Sequence, residues 1–231
     1  MNNYTEKLIT AFQANKNEEN VEPMKAYMRN HFEFLGLRTP ERRKLFRAFL
    51  KENGKPSIEE LLEIVPELWE QPEREFQYVA MELVEKQAKH LSTSHLPLIE
   101  KMIVEKSWWD TVDLIASHLV GEVFKKPSSE KNMYLEKWIH SENMWLNRTA
   151  ILYQLSYKQN TDVNQLFSII LLHKESKEFF IQKAIGWALR EYSKTAPEEV
   201  KTFIKNEELA ALSKREGMKH INKLEKDEVK P

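Results

Sequence analysis

The chain contains no cysteine among its 231 residues, which excludes disulfide bonds, thiolate metal ligands and cysteine nucleophiles. Only five glycines and nine prolines are present, too few for an all-β fold with many tight turns. No run approaches the roughly 18 uninterrupted apolar residues of a membrane span. The first residues also lack the basic and apolar segments of a signal peptide. We therefore expect a cytoplasmic protein without a membrane attachment.

Motifs for metal and nucleotide chemistry are missing as well. The seven histidines show no H-x-x-x-H spacing, and the chain has no glycine-rich phosphate loop, no G-x-G-x-x-G and no G-x-S-x-G. We expect neither a metal nor a cofactor.

The charges balance overall but not locally. The net charge is −1, which by itself disfavours a nucleic-acid binder. Residues 38–51, however, carry a net charge of +5, and residues 59–75 carry −6. The distribution matters more than the sum, and it predicts one basic and one acidic face.

Helical spacing of apolar residues dominates the chain, most clearly over 76–84, 112–123 and 181–192. Small residues recur in similar contexts at spacings of 36, 34, 34 and 33, namely at Ala80, Ala116, Ala150, Ala184 and Gly217. Such a period marks stacked helix pairs. We predict an all-α fold, a right-handed α-solenoid of short HEAT-like (ARM/HEAT-type) repeats with a concave basic groove. Residues 1–231 are expected to form one domain, with an atypical first unit at about 1–55 and a charged, frayed tail at 222–231.

The segment Ser107-Trp-Trp-Asp-Thr-Val-Asp113 combines aromatic and acidic side chains at helical spacing. Trp109 and Asp113 are four residues apart, so they lie one above the other on one helix face. An indole ring beside a carboxylate can hold a cationic or sugar-like group. Asp113 also borders an apolar stripe, where a structural hydrogen bond or ion pair is the commoner role. Asp110 is better explained as an N-terminal residue that the helix dipole favours.

Arg148 occupies nearly the same place in the next repeat as Asp113 does in its own. Arg148 can form an ion pair with Asp113 that fixes neighbouring repeats. It can also clamp a phosphate while its planar fork steadies Asp113. The two roles are not exclusive.

One face of the helix predicted over 178–194 is basic and carries a tryptophan. Its members are spaced by 4, 3 and 4 residues: Lys183, Trp187, Arg190 and Lys194. Cations suit phosphates, and an indole suits a sugar or base. The alternative is a solvated basic face with a tryptophan at the edge of the core, which composition alone favours.

The segment 38–45, Arg-Thr-Pro-Glu-Arg-Arg-Lys-Leu, has the pattern of a helix start, with Thr39 as the predicted N-cap and Pro40 in the first turn. Thr39 and the helix N-terminus can receive a phosphate, with Arg43 alongside. Ordinary capping explains the pattern without a phosphate. Tyr27, on the preceding helix, is a weaker candidate and is more typical of a core tyrosine.

Longer motifs make the chain similar to a known family. These motifs are Arg38-Thr-Pro-Glu-Arg-Arg43, Lys106-Ser-Trp-Trp-Asp-Thr-Val-Asp113, Trp145-Leu-Asn-Arg-Thr-Ala-Ile-Leu152, Ser176-Lys-Glu-Phe-Phe-Ile-Gln-Lys-Ala-Ile-Gly-Trp187, Leu189-Arg-Glu-Tyr192 and Leu212-Ser-Lys-Arg-Glu216. Over nearly its whole length the chain resembles the AlkD family of bacterial DNA alkylation repair enzymes, which are built of HEAT-like repeats. The resemblance implies a monofunctional DNA glycosylase for N3- and N7-alkylated purines, such as 3-methyladenine and 7-methylguanine.

Residue by residue, the resemblance implies a catalytic cleft of Trp109, Asp113 and Trp187, with Arg148 supporting them on the DNA backbone. It implies DNA contacts by Tyr27, Thr39, Arg43, Arg148, Arg190 and Lys194. The basic face of the helix predicted over 178–194 adds Lys183 to these candidates. Ser156 stands where the family pattern has a lysine, which leaves one phosphate contact in question.

The expected partner is duplex DNA that contains alkylated purines, bound by a monomer along the backbone with the lesion largely stacked. Two alternatives stay open. One is a non-catalytic HEAT-like scaffold for a protein partner. The other is a nucleic-acid-binding protein without catalysis, in which Asp113 only holds Arg148.

Overall fold

The computed structural model describes residues 1–228 and divides the chain into two compact units. The first unit, Met1–His90, ends in a short 3-10 turn and is built from α1 (Asn3–Gln13), α2 (Glu18–Tyr27), α3 (Thr39–Asn53), α4 (Ile58–Glu70) and α5 (Arg74–Lys86). Side chains satisfy the free N–H groups where several of these helices begin. In α4, for example, Ser57 Oγ accepts from Glu60 N at 3.2 Å, and the Glu60 carboxylate accepts from Ser57 N at 2.7 Å.

The second unit begins at Leu91 and continues the pattern of short helices. Its helices are α6 (Leu96–Val104), α7 (Trp109–Leu114), α8 (Gly121–Phe124), α9 (Ser129–Ile139), α10 (Met144–Leu152), α11 (Val163–His173), α12 (Phe179–Tyr192), α13 (Pro197–Asn206), α14 (Ala211–Gly217) and α15 (Lys219–Glu228). Short 3-10 turns lie at Thr93–His95 and Lys158–Asn160. None of the described helices combines the length and apolar character needed to cross a membrane.

The apolar stripes predicted from the sequence form the core of each unit. Along α5, Phe76, Val79, Ala80 and Leu83 are all at most 1% exposed. The recurring small residues are buried in every repeat, at Ala80, Ala116, Ala150, Ala184 and Gly217. Residues 1–228 contain no β-strand, and their one isolated bridge joins Glu33 and Glu73. The predicted all-α fold class, built from helical repeats, is therefore confirmed. The handedness, the concave basic groove and the single domain stay predictions.

A π-helical segment, Ile115–Val120, interrupts the helix that the sequence predicts over 112–123. Three side-chain hydroxyls bind carbonyls in or beside it. Ser117 Oγ donates to the Asp113 carbonyl at 2.7 Å, Ser156 Oγ donates to the Ser117 carbonyl at 3.3 Å, and Tyr157 Oη donates to the Gly121 carbonyl at 2.6 Å. These hydrogen bonds satisfy carbonyl groups in and beside the π-helical segment, whose backbone hydrogen-bonding pattern is rare in helices.

Three local predictions need correction. Thr39 is the first residue of α3 and not its N-cap, because Arg38 is the extended residue whose N–H donates to Glu41 Oε2 at 3.0 Å. Tyr27 is 72% exposed, so the core role is wrong. The tail predicted to fray at 222–231 is helical as far as Glu228 in α15, and residues 229–231 lie outside the described part of the chain.

Candidate active site

Asp113 and Arg148 form a two-pronged ion pair in the second unit. Arg148 Nε donates to Asp113 Oδ1 at 2.6 Å, and Arg148 Nη2 donates to Asp113 Oδ2 at 2.9 Å. The two side chains are only 13% and 5% exposed, respectively. Because both carboxylate oxygens accept a hydrogen bond from the guanidinium group, the carboxylate plane is fixed relative to the guanidinium plane. The ion pair between neighbouring repeats that the sequence allows is therefore present.

Arg148 also contacts Phe180 on α12. Its Nη1 donates a short hydrogen bond to the carbonyl oxygen of Phe180, and its guanidinium carbon lies 5.8 Å from the Phe180 ring centroid. Arg148 thus joins α7, through Asp113, to α12, through Phe180. Since the arginine side chain is almost wholly buried, its remaining N–H groups have little access to an external phosphate. The direct contact of Arg148 with DNA stays a prediction that this arrangement disfavours.

The surroundings of Asp113 perturb its protonation in two opposing ways. Burial raises the pKa of Asp113 above its ordinary value, and the negative charge of Asp110 adds to that rise. The hydrogen bonds and charge of Arg148 act in the opposite direction. Asp113 is thus a more basic carboxylate than an exposed aspartate, while Arg148 supports its ionised form.

Trp109 and Trp187 lie on two of the helices that the Asp113–Arg148 pair joins. Trp109 is the first residue of α7, one turn before Asp113, and Trp187 lies two turns after Phe180 on α12. Both indoles are partly exposed. Their convergence on a single sugar stays a prediction.

Sequence reasoning missed an aromatic cluster beside the ion pair, formed by Trp108, Trp145 and Phe180. The ring centroids are 5.8 Å apart for Trp108 and Trp145, 5.1 Å for Trp108 and Phe180, and 5.0 Å for Trp145 and Phe180. All three residues occur in the long motifs, immediately before α7 or within the first turn of α10 or α12. The position of these aromatic residues next to helix starts was the sequence feature that could have indicated the cluster.

Two cations of the predicted basic face of α12 share one carboxylate. Lys183 Nζ lies 3.1 Å from Glu216 Oε1, and Arg190 Nη1 lies 2.9 Å from Glu216 Oε2. Lys219 Nζ is 2.8 Å from both of these oxygens. The hydrogen bond from Lys219, supported by Lys183, lowers the pKa of Glu216 to about 2 although burial opposes the shift. Lys194 instead pairs with Glu191, at 2.7 Å.

Glu216 is a further residue whose role the sequence did not reveal. It lies 33 residues after Lys183, which is the spacing of the last repeat, and 26 residues after Arg190, which no repeat spacing connects to it. The available indication was Gly186, which lies between the two cations on α12. A Cβ atom at position 186 would lie 2.4 Å from the Cβ of Glu216, so the glycine permits the close approach of α14.

The first unit holds the three other predicted contact residues. Tyr27 and Thr39 are exposed, at the end of α2 and the start of α3. Arg43 is 57% exposed, with its Nε 3.8 Å from Glu82 Oε1. Among residues 1–228, no group of three or more histidine, aspartate or glutamate side chains is placed to hold a metal ion.

The fold and the buried acid–arginine pair define a helical-repeat protein with an enclosed carboxylate beside aromatic rings. A family model described as "DNA alkylation repair enzyme" matches residues 8–221. The chain therefore belongs to the DNA alkylation repair enzyme family. A solved structure titled "Predicted DNA alkylation repair enzyme from Enterococcus faecalis" is 35% identical, with a TM-score of 0.82. The match covers 90% of this chain and 97% of that one. No curated protein gives a significant match.

Proposed function

We propose that the protein is a monofunctional DNA glycosylase that hydrolyses the N-glycosidic bond of N3- and N7-alkylated purines in duplex DNA. The observation that carries this proposal is the buried, two-pronged Asp113–Arg148 pair in a chain of the DNA alkylation repair enzyme family. An enclosed carboxylate is the group that suits a reaction in which positive charge develops on a sugar.

The chemistry requires little help for the leaving group. Alkylation at N3 or N7 makes the purine cationic, so the base departs as a neutral molecule when it takes the electron pair of the C1′–N bond. The deoxyribose is left as an oxocarbenium-like cation. Water then forms the new C1′–O bond and loses one proton. The enzyme must therefore stabilise a transient cation and orient a water molecule.

Asp113 supplies the negative charge for both tasks. Its two oxygens together offer about four acceptor positions, of which the Arg148 fork occupies two. The free positions can accept a hydrogen bond from water, and the raised pKa makes the carboxylate a better base for the water proton. Arg148 acts through Asp113 as a positioning residue, because it is too buried to be an efficient phosphate ligand.

The two indoles and the exposed cations complete the proposal. Trp109 and Trp187 pack on the deoxyribose and favour its cationic state through their π faces. Contacts to the DNA backbone come from Tyr27, Thr39, Arg43, Lys183, Arg190 and Lys194. In this arrangement the lesion is recognised while it is largely stacked, unlike the extruded base of most glycosylases. The protein works as a monomer in the cytoplasm.

Release of 7-methylguanine from alkylated duplex DNA tests the proposal. Asp113→Asn is expected to lower the single-turnover rate constant by about 10²-fold or more, since one charge-stabilising group and general base is lost. Binding of undamaged duplex should stay within a few-fold. The matched control is Asp227→Asn, which removes an exposed acid of α15 and should retain the native activity.

Folding must be measured beside activity, because Asp113→Asn leaves a buried guanidinium without its charge partner. Arg148→Lys serves as a second variant. It keeps the positive charge but loses the bidentate hydrogen bonding of the guanidinium group, so excision should fall while folding is largely retained. Unchanged excision in a folded Asp113→Asn protein would remove Asp113 from the mechanism. A native protein that binds DNA in a salt-sensitive manner but releases no base would be a non-catalytic binder, and one that does neither would be a protein scaffold.

A further inference from the structure

Glu216 and the three cations around it form a compact cluster in the second unit. The Glu216 cluster consists of Lys183 and Arg190 on α12, Glu216 on α14 and Lys219 on α15. The carboxylate side chain is only 7% exposed, whereas those of Lys183, Arg190 and Lys219 are 37%, 30% and 52% exposed. The acid is thus enclosed, and the cations extend from it toward solvent.

The cluster depends on the close packing of α12 and α14. Lys183 and Arg190 are seven residues apart, so they lie on one face of α12 with Gly186 between them. Because residue 186 has no Cβ atom, Glu216 can lie directly over it, one turn from each cation. Trp187 follows Gly186 in the chain, so the proposed sugar-contacting indole and the cluster occupy the same turns of α12.

The charges within the cluster do not balance. Three cations face one carboxylate, which leaves a net charge of two positive units. Lysine has three N–H donors and arginine has five, so each cation keeps donors after its contact with Glu216. A phosphate group, with a negative charge and several acceptor oxygens, matches this excess of charge and donors.

We propose that Glu216 is a positioning residue that holds Lys183, Arg190 and Lys219 together as one binding site for a phosphodiester of the DNA strand. The identity of this ligand rests on the proposed function. Holding three long side chains in place before DNA arrives reduces the side-chain entropy lost on binding. Lys219, which the sequence patterns did not single out, becomes a DNA contact.

The first test compares two lysine substitutions on undamaged duplex DNA by fluorescence anisotropy between 50 and 200 mM NaCl, about the range where phosphate contacts dominate the salt dependence. Lys219→Gln should weaken binding about 3–10-fold at low salt and reduce the slope of log affinity against log salt by about one. Lys205→Gln, which removes an exposed lysine of α13, is the matched control and should change little. Equal effects of the two substitutions would mean that only net charge matters, and the site would be disproved.

The second test asks whether Glu216 acts through the cations. Lys219→Gln is made in the native background and in Glu216→Gln, and the coupling is taken from the double-mutant cycle. If Glu216 positions Lys219, the loss caused by Lys219→Gln should shrink to about twofold or less in the Glu216→Gln background. Glu216→Asp, which retains the charge, should restore part of the coupling and remains informative if Glu216→Gln folds poorly. Additive effects would contradict a positioning role.

Two further measurements separate this inference from its alternatives. Inorganic phosphate and chloride at matched ionic strength should compete equally with DNA, and selective competition by phosphate would show a free-anion site instead. Release of 7-methylguanine is measured on the same proteins. If the native protein releases 7-methylguanine and the double-mutant cycles are additive, only the positioning role of Glu216 is disproved. If the cycles show coupling and the native protein releases no base, only the glycosylase proposal is disproved.

Discussion

Two enclosed carboxylates of the second unit, Asp113 and Glu216, have pKa values that move in opposite directions. Asp113 has one cationic partner, and burial outweighs it, so its pKa is raised. At Glu216, the hydrogen bond from Lys219 and the interactions with Lys183 outweigh burial and lower the pKa to about 2. The balance between burial and the cationic partners therefore sets the direction of each pKa shift. The more basic acid is the one assigned to proton chemistry.

The low pKa of Glu216 predicts a pH-dependent contribution to stability. The ionised form stabilises the fold above the ordinary pKa of 4.5, and this contribution is lost as pH falls through about 2. With allowance for solvent screening of the partly exposed lysines, Glu216→Gln should lower the free energy of unfolding by about 1–3 kcal/mol at pH 7. Urea unfolding at several pH values should give a difference between native and variant that declines from pH 5 toward pH 2. A constant difference across that range would contradict the assigned pKa.

The two carboxylates also differ in how far the sequence could predict their partners. Asp113 and Arg148 are separated by about one repeat, so equivalent positions in neighbouring helix pairs suggested their contact. Glu216 and Lys183 are also about one repeat apart, at 33 residues, but their close contact depends on the missing side chain of Gly186. Periodicity identifies which residues share a face, but it does not report such a local approach of two backbones.

At the level of secondary-structure elements, the helical spacing of apolar residues predicted the helices well. The burial of an apolar stripe depends on many residues together, so a single exception does not change the prediction. The π-helical segment Ile115–Val120 escaped prediction, since its hydrogen-bonding pattern changes without a break in the apolar stripe. The hydroxyls of Ser117, Ser156 and Tyr157 donate to carbonyls in or beside this segment. The contacts of Ser156 and Tyr157 arise from tertiary packing, which a local pattern does not contain. The start of α3 differed by one residue for a local reason, because the Glu41 carboxylate accepts a hydrogen bond from the backbone N–H of Arg38.

Gly186 provides a test of the packing between α12 and α14. In an unobstructed helix, alanine would be more favourable than glycine by about 1 kcal/mol. At this position the added Cβ would lie 2.4 Å from Glu216 Cβ and 3.0 Å from the Ser213 carbonyl oxygen, so the two helices must separate. Gly186→Ala should therefore lower the free energy of unfolding by about 1–3 kcal/mol, as measured by urea denaturation.

The control for this substitution is Asn132→Ala, at an exposed position of α9, where only the gain in helix propensity is expected. A Gly186→Ala protein as stable as the native one would show that α14 does not need the glycine. The argument for the Glu216 cluster would then lose its geometric basis.

For the molecule as a whole, net charge is a poor guide to its partner. The chain is close to neutral, yet its positive charges are concentrated in segments such as 38–51 and in the Glu216 cluster. Electrostatic attraction to DNA depends on the local field that phosphates encounter, not on the sum of all charges. Membership in a DNA alkylation repair family therefore agrees with a sequence pI of about 6.7.

This charge distribution predicts salt-sensitive DNA binding in spite of the net charge of −1. Affinity for undamaged duplex should fall by about tenfold or more between 50 and 200 mM NaCl, because bound phosphates release counterions. Arg43→Gln should reduce the slope by about one, since Arg43 is 57% exposed and can reach a phosphate. Lys89→Gln removes the same charge from an exposed turn of the first unit and should leave the slope unchanged. An affinity independent of salt, or equal losses from both substitutions, would show that the local concentration of positive charge does not direct DNA binding.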